Sequence, residues 1–261
     1  MDAILDTDWA QHWRLVAKAR QSASPEADHW AGRAGRFARS IRHQPDYFLA
    51  FLEPWLSSHK TVLDVGAGVG RHSLPLAQRL DWVTAVEPSE AMRELMPGAD
   101  NLTVIASEWL DAEPAPADLV ICVHVLQLVP DAAPFLAKLS ASAKERVFVV
   151  MRDAPFGHPA QQMPGAVRAR EPWLRDCLLL LRQLGREPEL AMFRYPVNFH
   201  YASVEEALRD CGLEDFGSQR ADQVRSWLQG RLQRGPDGDL VFAGGETVAG
   251  VLHWAPQREP D

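Results

Sequence analysis

The sequence predicts an α/β fold, a doubly wound and mostly parallel sheet of seven strands with an antiparallel C-terminal hairpin and a helical N-terminal cap. Short apolar runs alternate with helical stretches over residues 59–152, which is typical of right-handed βαβ units and a parallel sheet. Residues 1–58 carry helical patterns without a convincing strand. Near the C-terminus two apolar runs flank "GGE", which favours a β-hairpin.

The first 58 residues are predicted to form the helical cap. "WAQHWRLVAKARQ" and "HWAGRAGRFARSIR" place apolar residues at helical spacing with basic residues between them, and "PDYFLAFLEPWL" continues as a third helix. The tryptophans and phenylalanine of these helices favour a lid that closes over a bound ligand. The alternative is that the helices only cover the sheet.

Five apolar runs supply the parallel strands: "TVLDV", "WVTAV", "LTVIA", "ADLVICV" and "RVFVVM". The hairpin in "DLVFAGGETVAGVLHWA" would add the sixth and seventh strands. In such a sheet, ligands bind at the carboxyl ends of the strands. We therefore divide the chain into a cap, residues 1–58, and an α/β domain, residues 59–261, with a substrate insertion at about 154–235.

Two helices are predicted inside the insertion. "EPWLRDCLLLLRQLG" has a helical pattern that stops at Gly185. A second helix begins at Ser203, where Glu206 completes a capping box, and it stops at Gly212. The insertion also carries many aromatic residues, which would suit a small, partly apolar ligand or an extra helical layer.

Composition narrows the possible partners. Lys and Arg number 27 against 35 Asp and Glu, a formal charge of −8, which argues against broad nucleic-acid binding but leaves room for a local basic patch. Cys122, Cys177 and Cys211 form no CxxC pair, so they indicate free thiols of a reducing compartment, with neither a disulfide framework nor a metal site. The sequence lacks a secretory pattern and a membrane-length apolar run. These features predict a cytoplasmic protein without a membrane partner.

The stretch "TVLDVGAGVGRH" leads a strand directly into a glycine cluster and then a helix. Backbone N–H groups at such a junction point at a ligand, although a tight βα turn without a ligand is the plainer alternative. A dinucleotide fingerprint, G-x-G-x-x-G, would need its third glycine at position 71, which is Arg71. The third glycine is instead Gly70, so the dinucleotide match fails.

This stretch resembles motif I of the class I S-adenosylmethionine-dependent methyltransferases, whose fold is Rossmann-like. "VTAVEPSEAM" is similar to the family's second strand, which ends in the acid that binds both ribose hydroxyls. "NLTVIASEWLDAEP" is similar to the third strand and its adenine-contacting loop, and "ADLVICVHVLQLVPD" to the fourth strand. The ordered match covers about a third of the chain.

The resemblance implies S-adenosylmethionine as the cofactor. A carboxylate at Glu87 suits two ribose hydroxyls because it offers two acceptor oxygens. The cofactor-binding residues that the resemblance implies are Asp64, Gly66, Ala67, Gly68, Gly70, Glu87, Pro88, Glu108 and Trp109. Methyl transfer proceeds largely through proximity and alignment, so the catalytic residue is left unassigned, with His124 as the candidate base.

The function expected is methylation of an oxygen or nitrogen atom of a small molecule. The candidate substrate residues are Trp30, Phe37, Arg152, His158 and Tyr201. Three alternatives stay open: a protein or RNA acceptor, a non-catalytic cofactor-binding regulator on the same fold and, more distantly, a dehydrogenase. The identity of the acceptor and the oligomeric state are not specified by these residues.

Overall fold

The computed structural model describes residues 7–23, 30, 32–166, 171–213 and 215–256. Its helices are α1 Trp9–Ala23, α2 Ala34–Arg42, α3 Tyr47–Leu52, α4 Ser73–Ala77, α5 Glu90–Arg93, α6 Ala132–Ala141, α7 Pro159–Gln162, α8 Leu174–Gln183, α9 Val204–Asp210 and α10 Gln219–Gln229. Its strands are β1 Thr61–Val65, β2 Trp82–Val86, β3 Leu102–Ile105, β4 Ala117–Val123, β5 Ala143–Arg152, β6 Glu189–Tyr201, β7 Leu232–Arg234 and β8 Leu240–Trp254.

The strands form one mixed sheet in the order β3-β2-β1-β4-β5-β8-β6, and the short β7 pairs with β8. Strands β1 to β5 are parallel to one another, whereas β8 runs antiparallel to both β5 and β6. The strand order reverses between β1 and β4, which opens a crevice at their carboxyl ends. The predicted doubly wound, mostly parallel fold with antiparallel C-terminal strands is therefore confirmed, with eight strands in the described part of the chain where seven were predicted.

The prediction of which segments form the antiparallel pair was wrong. The stretch "DLVFAGGETVAGVLHWA" does not fold back on itself as a hairpin. It is the continuous strand β8, and its partner β6 lies inside the predicted insertion. Val197 pairs with Gly245 and Asn198 with Ala243, so Gly244 is the extra residue of a β-bulge. A side chain at Gly244 would press on the Phe199 ring, which is why glycine occupies a bulge that we interpreted as a turn.

Helices cover the sheet on both faces. On one face α1, α6 and α8 pack against the apolar side chains of the central strands, and Trp13 of α1 is fully buried there. On the other face α3 and α4 contribute residues such as Phe48 and Leu76. The first helix of the predicted cap therefore belongs to the sheet packing, as the alternative interpretation held. Parts of the second predicted helix, His29 and Ala31, lie outside the described residues, and α2 begins at Ala34.

The far ends of β6 and β8 extend past the parallel strands and form a side layer with α9 and α10. Its core includes Phe199, Tyr201, Leu228 and Phe242. The predicted start of α9 is confirmed, since the Ser203 hydroxyl accepts a hydrogen bond from the Glu206 N–H. This layer closes the side of the crevice that faces β6.

Two further expectations concern the thiols and the membrane. Cys122, Cys177 and Cys211 are free and buried, as their spacing predicts. No helix within the described part of the chain has both the length and the apolar content that crossing a membrane requires.

Candidate active site

The carboxyl ends of β1, β2, β4 and β5 open into a cavity of about 1410 Å³. Helix α2 roofs it, because Phe37 and Arg36 line the cavity while the Ser40 hydroxyl accepts a hydrogen bond from the His200 N–H of β6. The glycine turn and Glu87 lie at one end of the cavity, and β6 and the segment after β5 lie at the other. We call these the cofactor end and the acceptor end.

The three glycines of the turn all have positive φ, at 74° for Gly66, 58° for Gly68 and 81° for Gly70. L-residues rarely adopt this region, so the turn requires glycine for its backbone alone. A Cβ at Gly66 would collide with the Val125 side chain, whereas at Gly68 it would meet only Phe37, at 3.9 Å. Gly68 is therefore the glycine with open space above it, as a cradle for a ligand requires.

Glu87 directly follows β2 and lies beside the glycine turn. Its side chain accepts hydrogen bonds from the N–H of Gly68 at 2.8 Å and of Ser89 at 2.9 Å, one to each carboxylate oxygen. Each oxygen keeps a second lone pair, and the residue lines the cavity. Burial raises the pKa of Glu87, and the two backbone hydrogen bonds oppose that rise. The donor and acceptor set thus fits a ligand that offers hydroxyl groups here.

Two predicted cofactor residues do not reach the cavity. Asp64 is buried behind the turn, where its carboxylate accepts a 2.6 Å hydrogen bond from the Ser73 hydroxyl at the start of α4. Burial raises the pKa of Asp64. Gly70 packs against Met96 and Leu74 instead of facing open space. Asp64 and Gly70 therefore shape the turn from behind, whereas Gly66, Ala67, Gly68 and Pro88 line the cavity directly.

Glu108 and Trp109 differ although they are adjacent. Both line the cavity, but Glu108 is exposed and Trp109 is buried. The Trp109 indole N–H donates to the Phe135 carbonyl at 3.2 Å, and the Lys138 ammonium lies 5.0 Å from the ring centre. The structure thus gives Trp109 a place in the core in addition to its place on the wall.

His124 follows β4 with φ at 57°, a strained conformation for a residue other than glycine. It lines the cavity, and its buried Nδ1 has no hydrogen-bond partner among the described residues. Burial, assisted by the nearby Arg152 cation, lowers the pKa of His124 to about 3. The imidazole is therefore neutral at physiological pH and can accept a proton, but a pKa this low makes it a weak base.

Four of the five candidate substrate residues line the acceptor end or the roof: Trp30, Phe37, Arg152 and His158. The rings of Trp30 and Phe37 lie 5.1 Å apart. Tyr201 was predicted wrongly as a wall residue, because it is fully buried and does not line the cavity. Its hydroxyl donates to Asp210 at 2.7 Å, and His158 contacts the same carboxylate oxygen at 2.7 Å. Tyr201 therefore supports the wall from behind.

Sequence reasoning missed several charged groups of the cavity. Arg36 pairs with Asp210 at 2.9 Å, and Arg20 of α1 reaches the cavity together with Glu171. These residues come from segments that are distant in the sequence, and a basic residue on a helical face is ordinarily solvent-exposed. Local sequence shows basic residues between the aromatic residues of the cap helices, but it does not show which of them face the cavity.

Away from the cavity, His43, His200 and Asp239 bring potential metal-ligand atoms within 4.8 Å of one another. The imidazoles of His43 and His200 stack at 4.3 Å with only 14° between their planes. Lone pairs in nearly parallel planes do not converge on one ion. In this arrangement the cluster is a histidine stack held by Asp239, whose carboxylate lies 2.6 Å from His200 Nδ1.

A family model described as a methyltransferase domain matches residues 37–195, more than half of the chain. An uncharacterized protein of Haemophilus influenzae is 30% identical over 129 residues, 46% of this chain and 48% of that protein. A ubiquinone biosynthesis O-methyltransferase of Pseudomonas paraeruginosa is 37% identical over 82 residues, 28% of this chain and 35% of that enzyme. The matches thus span about half or less of these relatives' lengths.

The fold is shared with a solved structure. A candidate methyltransferase from Bacillus halodurans superposes with a TM-score of 0.56 at 16% identity. The superposition covers 82% of this chain and 100% of that one. At this identity the likeness shows the fold alone.

Proposed function

This chain belongs to the methyltransferase-domain family, and from that premise we propose that it transfers the methyl group of S-adenosylmethionine to an oxygen or nitrogen atom of a small molecule. One observation carries the proposal. The buried Glu87 carboxylate is held by the Gly68 N–H at the carboxyl ends of β1 and β2, and both residues face one large cavity. The name of the Pseudomonas relative supports oxygen as the acceptor atom.

The residues at the cofactor end fit the cofactor. The spare lone pairs of Glu87 would accept the ribose hydroxyls, and the open space above Gly68 would take the part that passes the backbone. Glu108 at the rim would accept from the adenine amino group. When bound, S-adenosylmethionine supplies a methyl group made electrophilic by its sulfonium. The protein's own task is then to align the acceptor and exclude water.

The enclosure of the acceptor end supports a small acceptor. Helix α2 roofs the cavity, and aromatic side chains such as Phe193, Tyr195 and Phe199 form a wall on β6. His124 is the candidate proton acceptor, because it lines the cavity with a neutral imidazole, although its low pKa makes it a weak base until a bound acid offsets the Arg152 cation. We place this activity in the cytoplasm because the three cysteines are free thiols.

Calorimetric titration with S-adenosylhomocysteine tests the cofactor end. Glu87→Gln should weaken binding roughly 10- to 100-fold, since a hydrogen bond to a charged group contributes about 1.5–3 kcal/mol. Glu94→Gln is the matched control, because Glu94 is exposed directly after α5 and does not line the cavity. Equal affinity for both variants would contradict the role of Glu87.

Turnover separates an enzyme from a regulator. The wild-type chain, incubated with methyl-labelled S-adenosylmethionine and a pool of small metabolites, should release label into the small-molecule fraction. A chain that binds S-adenosylhomocysteine but labels nothing is a cofactor-binding regulator. Label that appears only in added protein or RNA would overturn the small-molecule acceptor.

A further inference from the structure

Two arginines at the acceptor end share a single carboxylate. Arg20 of α1 and Arg152 at the end of β5 both line the cavity, as does Glu171. Glu171 lies 3.8 Å from the Arg20 Nε and 3.9 Å from an Arg152 terminal nitrogen. Both separations exceed hydrogen-bonding distance. We call Arg20 and Arg152 the arginine pair.

Two other arginines that line this cavity, Arg36 and Arg71, have polar partners at hydrogen-bonding distance. Arg36 contacts Asp210 at 2.9 Å. Arg71 donates to Asp46 at 3.0 Å and to two backbone carbonyls. Neither member of the arginine pair makes a hydrogen bond with any described residue at these distances. Among the described residues, the polar contacts of the arginine pair are therefore longer than those of Arg36 and Arg71.

The charges of the arginine pair are also poorly compensated. Their side chains are only 22% and 17% exposed, and Glu171 is 13% exposed, so water screens the group weakly. Among the described residues, two guanidinium cations face one carboxylate, so these three groups together carry a formal charge of +1. Burial lowers the pKa of Arg20, and the Arg152 cation lowers it further while Glu171 opposes both. A partly desolvated excess of positive charge is stabilised by an incoming anion.

We infer that the arginine pair binds an anionic group, a carboxylate or a phosphate, on the methyl acceptor, so that the substrate of the proposed methyltransferase is a small acid. The Arg152 guanidinium lies 4.4 Å from the centre of the Phe156 ring, a cation–π contact that restricts its movement. The planar fork of N–H donors on a guanidinium suits the two oxygens of such a group. This inference rests on the proposed function and adds the substrate class.

The neighbours of the arginine pair define the rest of the acceptor. Phe156 packs edge-to-face against Phe199 at 5.2 Å, which gives the molecule an apolar wall for its body. Arg152 is close enough to His124 to lower the pKa of that imidazole. The anionic group would thus be bound on the side of the cavity where the candidate base stands. An acid with an apolar or aromatic body matches these surfaces.

Fluorine NMR titration in the presence of saturating S-adenosylhomocysteine tests the charge requirement. The probes are 4-fluorobenzoate, 4-fluorophenyl phosphate and the neutral 4-fluorobenzamide, which share a ring and differ in charge. The wild-type protein should bind at least one anion about tenfold more tightly than the amide, as a charge-assisted hydrogen bond provides. The preferred anion then distinguishes carboxylate from phosphate. Equal affinity for all three probes would overturn the inference.

Three substitutions locate the effect. Arg20→Gln and Arg152→Gln should each weaken the preferred anion about tenfold and leave the amide unchanged. Glu171→Gln should strengthen the anion severalfold, because it removes the competing carboxylate. A gain of affinity cannot arise from misfolding, so this variant keeps the test decisive. Arg182→Gln, an exposed residue paired with Glu187 at 3.5 Å, is the control and should change nothing.

The two proposals fail in different ways. If S-adenosylhomocysteine binds but the anion preference or its response to the arginine variants is absent, the acidic substrate is wrong and the cofactor assignment stands. If the anions bind through the arginine pair while S-adenosylhomocysteine does not bind, the methyltransferase proposal is wrong and the anion site stands.

Discussion

The two ends of the cavity are built from the chain in different ways. The cofactor end comes from one strand-turn-helix-strand unit, in which Gly68 and Glu87 meet through a backbone hydrogen bond. The acceptor end is assembled from α1, β5, the segment at Glu171 and β6, so its charges meet across more than a hundred residues. The geometry of the cofactor end therefore depends on residues within one short segment. The geometry of the acceptor end depends on how elements that are distant in sequence pack together.

The largest effect is expected from a substitution that weakens the packing of α1, because α1 carries Arg20 of the acceptor end. Trp13 anchors the helix, since it is fully buried and its indole N–H donates to the Val129 carbonyl at 2.9 Å. Trp13→Ala should lower the free energy of unfolding by about 3–5 kcal/mol, because it leaves a cavity and an unpaired carbonyl. Urea denaturation measures this loss.

The matched control lies on the same helix. Leu15 is 63% exposed, so Leu15→Ala should change the free energy of unfolding by less than about 0.5 kcal/mol. Where Trp13→Ala stays folded, it should retain S-adenosylhomocysteine binding and lose the anion preference. If a folded Trp13→Ala protein loses both S-adenosylhomocysteine binding and the anion preference, the two ends of the cavity are not independent.

A smaller effect concerns His124, which stands between the two ends. Its pKa is about 3 in the folded chain against an ordinary 6.5. Between these values the unfolded chain binds more protons, so stability falls as the pH decreases. Lowering the pH from 7.5 to 5 should therefore reduce the free energy of unfolding by about 2 kcal/mol through this imidazole.

His124→Asn isolates that contribution, because asparagine tolerates a positive φ and does not titrate. Both proteins share their other titrating groups, so between pH 7.5 and pH 5 the wild type should lose about 2 kcal/mol more unfolding free energy than the variant. If both proteins lose the same stability, the imidazole is already protonated or is not buried.

The smallest expected effect is a change of cofactor affinity caused by a substitution at Gly68 in the glycine turn. Gly68→Val places methyl groups in the open space above the turn, where φ is 58°. Affinity for S-adenosylhomocysteine should fall about tenfold or more, which is about 1.4 kcal/mol. Gly98→Val is the control, since that exposed glycine has open space and no positive φ. Unchanged affinity in the Gly68 variant would remove the turn from the binding site.

Much of the fold could be predicted because its signals are local. The apolar runs of β1 to β4 end within a residue of the observed strands, and the Ser203 cap and the Gly185 stop depend on neighbouring residues. The pairing of β6 with β8 is not local. Gly244 and Gly245 predict a turn by composition, but the partner strand Glu189–Tyr201 decides that they form a bulge.

The candidate site divides in the same way. Glu87 and Gly68 could be predicted because a motif fixes their spacing in sequence. Asp64 carries the same motif signal, yet only the packing shows that its carboxylate faces Ser73 and not the cavity. Arg20 could not be predicted, since its position depends on α1 lying against the sheet. Sequence spacing thus identifies a turn, but not which side chains of the turn face its ligand.

The position of α1 has a consequence for synthesis of the chain. The Trp9 N–H bonds to the Gln183 side chain, which is 174 residues later, so α1 leaves the ribosome long before α8 exists. At ordinary translation speeds that interval is on the order of 10 to 35 s. Until β1, β4 and β5 have been synthesised, the aromatic face of α1 has no sheet to cover. Arg20 travels with this helix, so the acceptor end is completed among the last events of biogenesis, after the glycine turn has already been made.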